Sequence, residues 1–244
     1  MILTKQIYKL EVLGVLKWYF ESKNLSLKNA LKFRTPLSTE NQAELRLYYS
    51  QYFVSLVSAT EFLFDNKYSY RKEFAALLYE KFIFEDNSNG KENYLYLKEL
   101  RNSIVHRGCD VLSASHFLND FPLIIAPLKI QNQTGSKEYS AFSFYLIELI
   151  DICENYIGRI IAEHLNDFAE KLPVMTDSEM IDETKKFVLS SEAVPDWVKE
   201  HTLAFIDSED FLKVKIDKTQ EILSFLSKSA LPHLIGEWKS NYAD

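Results

Sequence analysis

TENQAELRLYYSQYFVSLVSATEFLFD, residues 39–65, is the stretch on which the fold class turns. Within it Leu45, Tyr49, Tyr52, Leu56, Ala59 and Leu63 recur in alternating steps of four and three. That spacing puts them on one stripe of an α-helix, and the run is too long and too regular for a strand. Thr39 and Gln42 stand where a capping box opens such a helix.

Working outward, Phe142, Leu146, Leu149, Cys153, Tyr156 and Ile160 repeat the spacing and predict a second long helix from about Ser140 to Phe168. Cys153 falls on its packed stripe, so it reads as a buried structural thiol. Shorter helices are expected at about Ile2–Ser22, Tyr68–Phe84 and Lys91–Arg107, with the polar FEDNSNGKEN (84–93) as a loop between the last two. FPLIIAPLKIQNQTGSKEYSAF (121–142) carries two prolines, β-branched residues and an NQTGS turn, the signature of an extended segment or small hairpin. Beyond Pro173 the pattern is more charged, with helices expected around Thr176–Leu189, Asp196–Phe205 and Glu209–Ser227. The expected architecture is all-α: a helical bundle over 1–172 with a hairpin insertion, then a C-terminal helical extension over 173–244.

The 244 residues are 47% apolar with only six glycines and six prolines, the composition of a packed globular chain. A net charge of −7 argues against a broad, non-specific nucleic-acid binder, whose affinity comes from Lys and Arg on phosphates. Lys5, Lys9, Glu11 and Lys17 interrupt the apolar N-terminal stretch, which therefore reads as a buried helix and not as a membrane span. Cys109 and Cys153 form no paired metal-ligand motif, and His106 with Cys109 is too small a set for one, so neither metal nor cofactor is expected. A reducing, cytoplasmic setting fits.

LKELRNSIVHRG, residues 97–108, holds the candidate chemistry. At about 100° per residue, Leu97, Leu100, Ile104 and Val105 form an apolar arc that contains Arg101. An arginine there is costly unless its guanidinium is paired or faces an opening. Gly108 is placed to end the helix, which leaves His106 in the last turn, at the negative end of the helix dipole. A phosphate-binding arginine with a proton-transferring histidine suits phosphodiester chemistry. On one straight helix the two lie about 140° apart, so two copies of the helix meeting at a two-fold axis would bring them together.

Arg101-Asn102-Ser103-Ile104-Val105-His106 resembles the R-x4-6-H motif of the HEPN superfamily, including the polar residue after the arginine. The resemblance implies an up-and-down helical bundle, usually a homodimer. It also implies a metal-independent endoribonuclease of the kind found in toxin–antitoxin, abortive-infection and other defence systems. On that reading Arg101 holds the scissile phosphate and His106 acts as general base or acid. The substrate's 2′-hydroxyl attacks, leaving a 2′,3′-cyclic phosphate, while Asn102 orients the histidine or contacts the backbone. Lys98 and Arg107 adjoin the motif as candidate phosphate contacts. One toxin subset has a tyrosine two residues after the histidine; here that residue is Gly108, so regulation through such a tyrosine is not expected.

The alternative is a catalytically inactive HEPN-like module that binds a partner protein, such as an antitoxin, or a nucleotide. In that case Arg101 pairs with a buried carboxylate, for which Glu61 is the natural candidate, and His106 only closes the helix. An acidic partner for Arg101 favours this alternative, and an open cleft lined by both protomers' Arg101 and His106 favours catalysis. NKYSYRK (66–72) offers basic and aromatic side chains that could touch RNA, but a solvated helix start explains it better. His116, His164, His201 and His233 are scattered singly and read as surface or core histidines.

Overall fold

The computed structural model describes residues 3–84, 89–118, 120–171, 177–192, 194–208 and 210–231. Among these residues eight helices and two small antiparallel sheets appear, so the protein is mainly helical, as the periodicity predicts. In chain order they are α1 (Leu3–Ala30), α2 (Thr39–Phe64), α3 (Arg71–Lys81), α4 (Gly90–Arg107), β1 (Ser115–Leu118), β2 (Phe121–Ile124), β3 (Lys129–Gln131), β4 (Glu138–Ser140), α5 (Leu146–Lys171), α6 (Asp177–Ser190), α7 (Asp196–Ile206) and α8 (Asp210–Ser227). No helix among the described residues is long and apolar enough to cross a membrane.

The stripe on α2 is buried as expected, Leu45 to Leu63, and packs along α1. Its cap is one residue earlier than expected. Ser38 Oγ accepts from the Asn41 N–H at 3.1 Å, and Gln42 turns its amide to the Leu37 carbonyl, so no Thr39–Gln42 box forms. The helix α1 runs to Ala30, eight residues past its expected end, because Phe20, Leu27 and Ala30 keep the stripe buried. Helix α5 starts at Leu146 and not near Ser140: Tyr139 pairs with Ile130 in a hairpin, and Phe142 packs edge-on against Phe82 and Tyr96 before the helix begins. The 121–142 segment holds the β3–β4 hairpin and the strand β2, whose partner β1 precedes the segment. Of the polar 84–93 loop, residues 85–88 lie outside the described residues; α4 already begins at Gly90, where Asn89 Oδ1 accepts from the Lys91 and Glu92 N–H groups. His233 also lies outside the described residues.

The C-terminal helix α8 packs on α1 and α5. Gly158 makes this approach feasible: a Cβ there would run into the Leu226 carbonyl. A buried polar cluster ties the same elements together. Glu154 Oε1 accepts from Lys23 Nζ at 2.6 Å and from Tyr52 OH at 2.8 Å, while Oε2 accepts from the Ala230 N–H at 2.7 Å. Lys23 and Glu154 are both almost fully enclosed.

Burial raises the pKa of four core tyrosines, Tyr49, Tyr52, Tyr94 and Tyr96. Their folded pKa values lie above the unfolded value of about 10. The stability they contribute is therefore complete below about pH 10 and is lost as pH rises beyond it. Lys23, whose pKa burial lowers, favours the fold with rising pH only up to the ordinary lysine value, so the tyrosines dominate above it. The expected result is cooperative alkaline unfolding, read as loss of helical circular dichroism together with tyrosinate absorbance. Free titration of these four phenols with the helices intact would contradict it.

Candidate functional site

Helix α4 carries Lys98, Arg101, Asn102, His106 and Arg107 and lies antiparallel to α2, as two contacts fix. Arg101 meets Glu61 near one end and Arg46 meets Asp110 at the other. The buried face of α4 is Asn93, Tyr94, Tyr96, Leu97, Leu100 and Ser103. Arg101 flanks this stripe on the α2 side instead of interrupting it, and Val105, expected in the apolar arc, is 50% exposed. The reason is that Ser103, not Val105, continues the stripe; its hydroxyl is satisfied by the Glu99 carbonyl at 2.7 Å.

Arg101 is 14% exposed and its Nη2 is paired with Glu61 Oε2. The other oxygen of Glu61 lies 3.5 Å from Lys98 Nζ, so one carboxylate serves two cations. Arg101 Nε is the one side-chain N or O atom among the described residues that is enclosed without a hydrogen-bond partner. Burial lowers the guanidinium pKa from its usual value, yet arginine remains a cation at any physiological pH.

Two further polar residues of α4, Asn102 and Arg107, are held by Glu99. Asn102 Nδ2 donates to Glu99 Oε1 at 3.3 Å, and Arg107 Nη2 lies 3.3 Å from Glu99 Oε2. Arg107 also donates to Ser103 Oγ and to the Gln131 carbonyl, which pins β3 to the end of α4. Glu99 has no part in the expected site, although its spacing of three from Asn102 and four from Ser103 is the signal that would find it. Lys98 and Arg107 thus both have intramolecular partners, and Arg107's are mostly structural.

Gly108 adopts φ 65° in the left-handed region, and the Cys109 N–H reaches back to Ser103 O at 3.0 Å, closing the helix as its sequence predicts. His106 is left exposed in the last turn with no hydrogen bond to the described residues. Asp110, four residues on, lines a cleft of about 610 Å³ together with Thr39, Gln42, Arg46, Leu112 and Ile124.

Several of the other candidates take structural places. Tyr68 of the 66–72 patch is buried, its hydroxyl 2.8 Å from His164 Nε2, so it cannot stack on a base. His164 is a core histidine, and His201 Nδ1 lies 2.8 Å from the Trp197 carbonyl. Cys153 is fully buried, which raises its thiol pKa; partial burial beside Asp110 does the same for Cys109. Among the described residues no group of three or more His, Cys, Asp or Glu is placed to hold a metal. Comparison with protein-family models, with curated proteins and with solved structures finds no match.

Proposed function

We propose that the protein is a metal-independent endoribonuclease of the HEPN type, acting as a homodimer. The observation that carries the proposal is the division of labour on α4. Arg101 is held firm at the α2 border, while His106 is exposed and uncommitted one and a half turns further on. Glu61 leaves this corner with net positive charge, since its single carboxylate faces both Arg101 and Lys98. Five residues of helix put Arg101 and His106 about 7.5 Å apart along the axis. In a two-fold pairing of α4 the histidine of one protomer would approach a phosphate held by the arginine of the other, with exposed Val105 at the contact. The substrate's 2′-hydroxyl attacks the adjacent phosphorus, and one imidazole takes its proton and returns it to the leaving 5′-oxygen. The cleft at Asp110 has room for a flanking nucleotide.

The Arg101–Glu61 pair favours a second reading, an inactive helical module for a protein partner or nucleotide, because an acid-paired arginine is what scaffolding requires. The test that separates them is incubation of a mixed RNA pool in EDTA, with product 3′ ends assayed for cyclic phosphate and the oligomeric state read by light scattering. Cyclic ends from a dimer are expected. A folded dimer that leaves every RNA intact gives the scaffold reading the better claim.

A further inference from the structure

We infer that the cleft at Asp110 is a guanine-binding subsite, in which Asp110 and Arg46 read the Watson–Crick edge of the base. The inference deepens the nuclease reading and rests on it for where RNA is cut; recognition of the base itself stands apart from that reading.

Leu45 of α2 and Ile124 of β2 are buried among the residues that line the cleft, and Leu37 and Leu112 are half-buried along it. Its volume of about 610 Å³ lies within the roughly 300–1,000 Å³ usual for small-molecule sites. Apolar walls of this kind take the faces of a planar ring, and polar groups at the margin then select by what the edge of the ring offers.

The selecting groups are Asp110 and Arg46. Asp110 is held by its own turn: its carbonyl accepts from the Ser113 N–H at 3.1 Å, and Oδ1 accepts from the Leu112 N–H at 2.9 Å. The carboxylate is therefore set in place before any ligand arrives, and each of its oxygens still has a lone pair to give. Arg46 meets Oδ2 at only 3.5 Å, its one side-chain hydrogen bond to the described residues. A fixed pair of acceptors thus stands beside a cation most of whose N–H groups are unclaimed, with both side chains about half exposed.

The pair is neutral as a whole, so a bare phosphate gains little there: what Arg46 attracts, Asp110 repels. A ring edge with two donors next to one acceptor does fit. Guanine has that edge: N1–H and the 2-amino group meet the two carboxylate oxygens, and O6 accepts from Arg46. Adenine and cytosine set a bare ring nitrogen against the carboxylate, and uracil sets a carbonyl oxygen against it beside its single N–H. Four residues of chain, at most about 14 Å, separate Asp110 from His106, so a base held here belongs to a nucleotide close to the bond that is cut.

The test is calorimetric titration of the full chain with the 5′-monophosphates of guanosine, inosine, adenosine, cytidine and uridine, and with inorganic phosphate. The guanosine nucleotide should bind, and the inosine nucleotide, which lacks only the 2-amino group, about tenfold or more weakly. The other nucleotides and phosphate should bind more weakly still. Asp110→Asn turns an amide toward the two ring donors and should erase the preference for guanosine over inosine. Arg46→Met should weaken both alike and keep their ratio, and melting curves show that each variant is folded. Equal affinity of the wild type for guanosine and inosine nucleotides, or phosphate binding as tight as either, overturns the inference. Guanosine preference with every RNA left intact removes the nuclease reading and keeps the subsite; cleavage of RNA without that preference does the reverse.

Discussion

Replacing His106 by alanine is expected to lower RNA cleavage by about a hundred- to ten-thousand-fold, the usual contribution of a positioned general acid or base. The same change should move stability by no more than about 1 kcal/mol, because the side chain is exposed and has no hydrogen bond to the described residues. The contrast with Arg101→Ala is the informative part. That variant also loses cleavage, but it strands Glu61 beside Lys98 and empties space against α2, so its melting temperature falls as well. Mixed dimers of the two variants sharpen the test. If each site joins the arginine of one protomer to the histidine of the other, a heterodimer of the two keeps one intact site and recovers about half the wild-type activity. Measuring cleavage at increasing ratios of one variant to the other reads this directly. No recovery at any ratio, with heterodimers shown to form, would place both residues of a site on one chain.

The largest stability effect is expected at Glu154. Its carboxylate is fully enclosed and satisfies Lys23, Tyr52 and the Ala230 N–H at once, from two helices and the segment after α8. Glu154→Leu leaves a buried ammonium without a counter-ion, a loss of about 3–5 kcal/mol. For a chain of this length that lowers the melting temperature by roughly 10 °C or more. Lys23→Met in the same molecule should return most of the deficit, since removing both charges costs far less than removing one. The measurement is a double-mutant cycle by thermal melting. If the double variant is as unstable as the sum of the singles, the pair is not coupled and the argument fails.

Periodicity made the long helices legible because large apolar side chains dominate their buried faces. Leu45 to Leu63 on α2 and Leu146 to Ile160 on α5 needed no tertiary knowledge. Ends were harder, because they depend on single hydrogen bonds. Ser38 outcompetes Thr39 as the cap of α2, and the pairing of Ile130 with Tyr139 claims residues that a helical stripe would have recruited for α5. At the candidate site, Gly108 and the placement of His106 could be read from the sequence, and Glu61 could be named as a partner for Arg101. That Glu61 serves Lys98 too, and that Arg107 reaches both Glu99 and the Gln131 carbonyl, could not. Those contacts depend on rotamers and on how α2, α4 and β3 meet, which a one-dimensional pattern does not encode.

The hydrogen bond from Ala230 to Glu154 has a consequence for how the chain is made. Lys23 and Tyr52 leave the ribosome early and Glu154 about a hundred residues after Tyr52, but the last donor to that carboxylate arrives only with residue 230. Until then a nascent chain holds a carboxylate oxygen that is to be buried but has no donor, and the groove between α1 and α5 is still without the α8 that fills it. Burial of the charge cluster therefore waits until residue 230 has been made, and a growing chain released before it would lack the contact that closes its core.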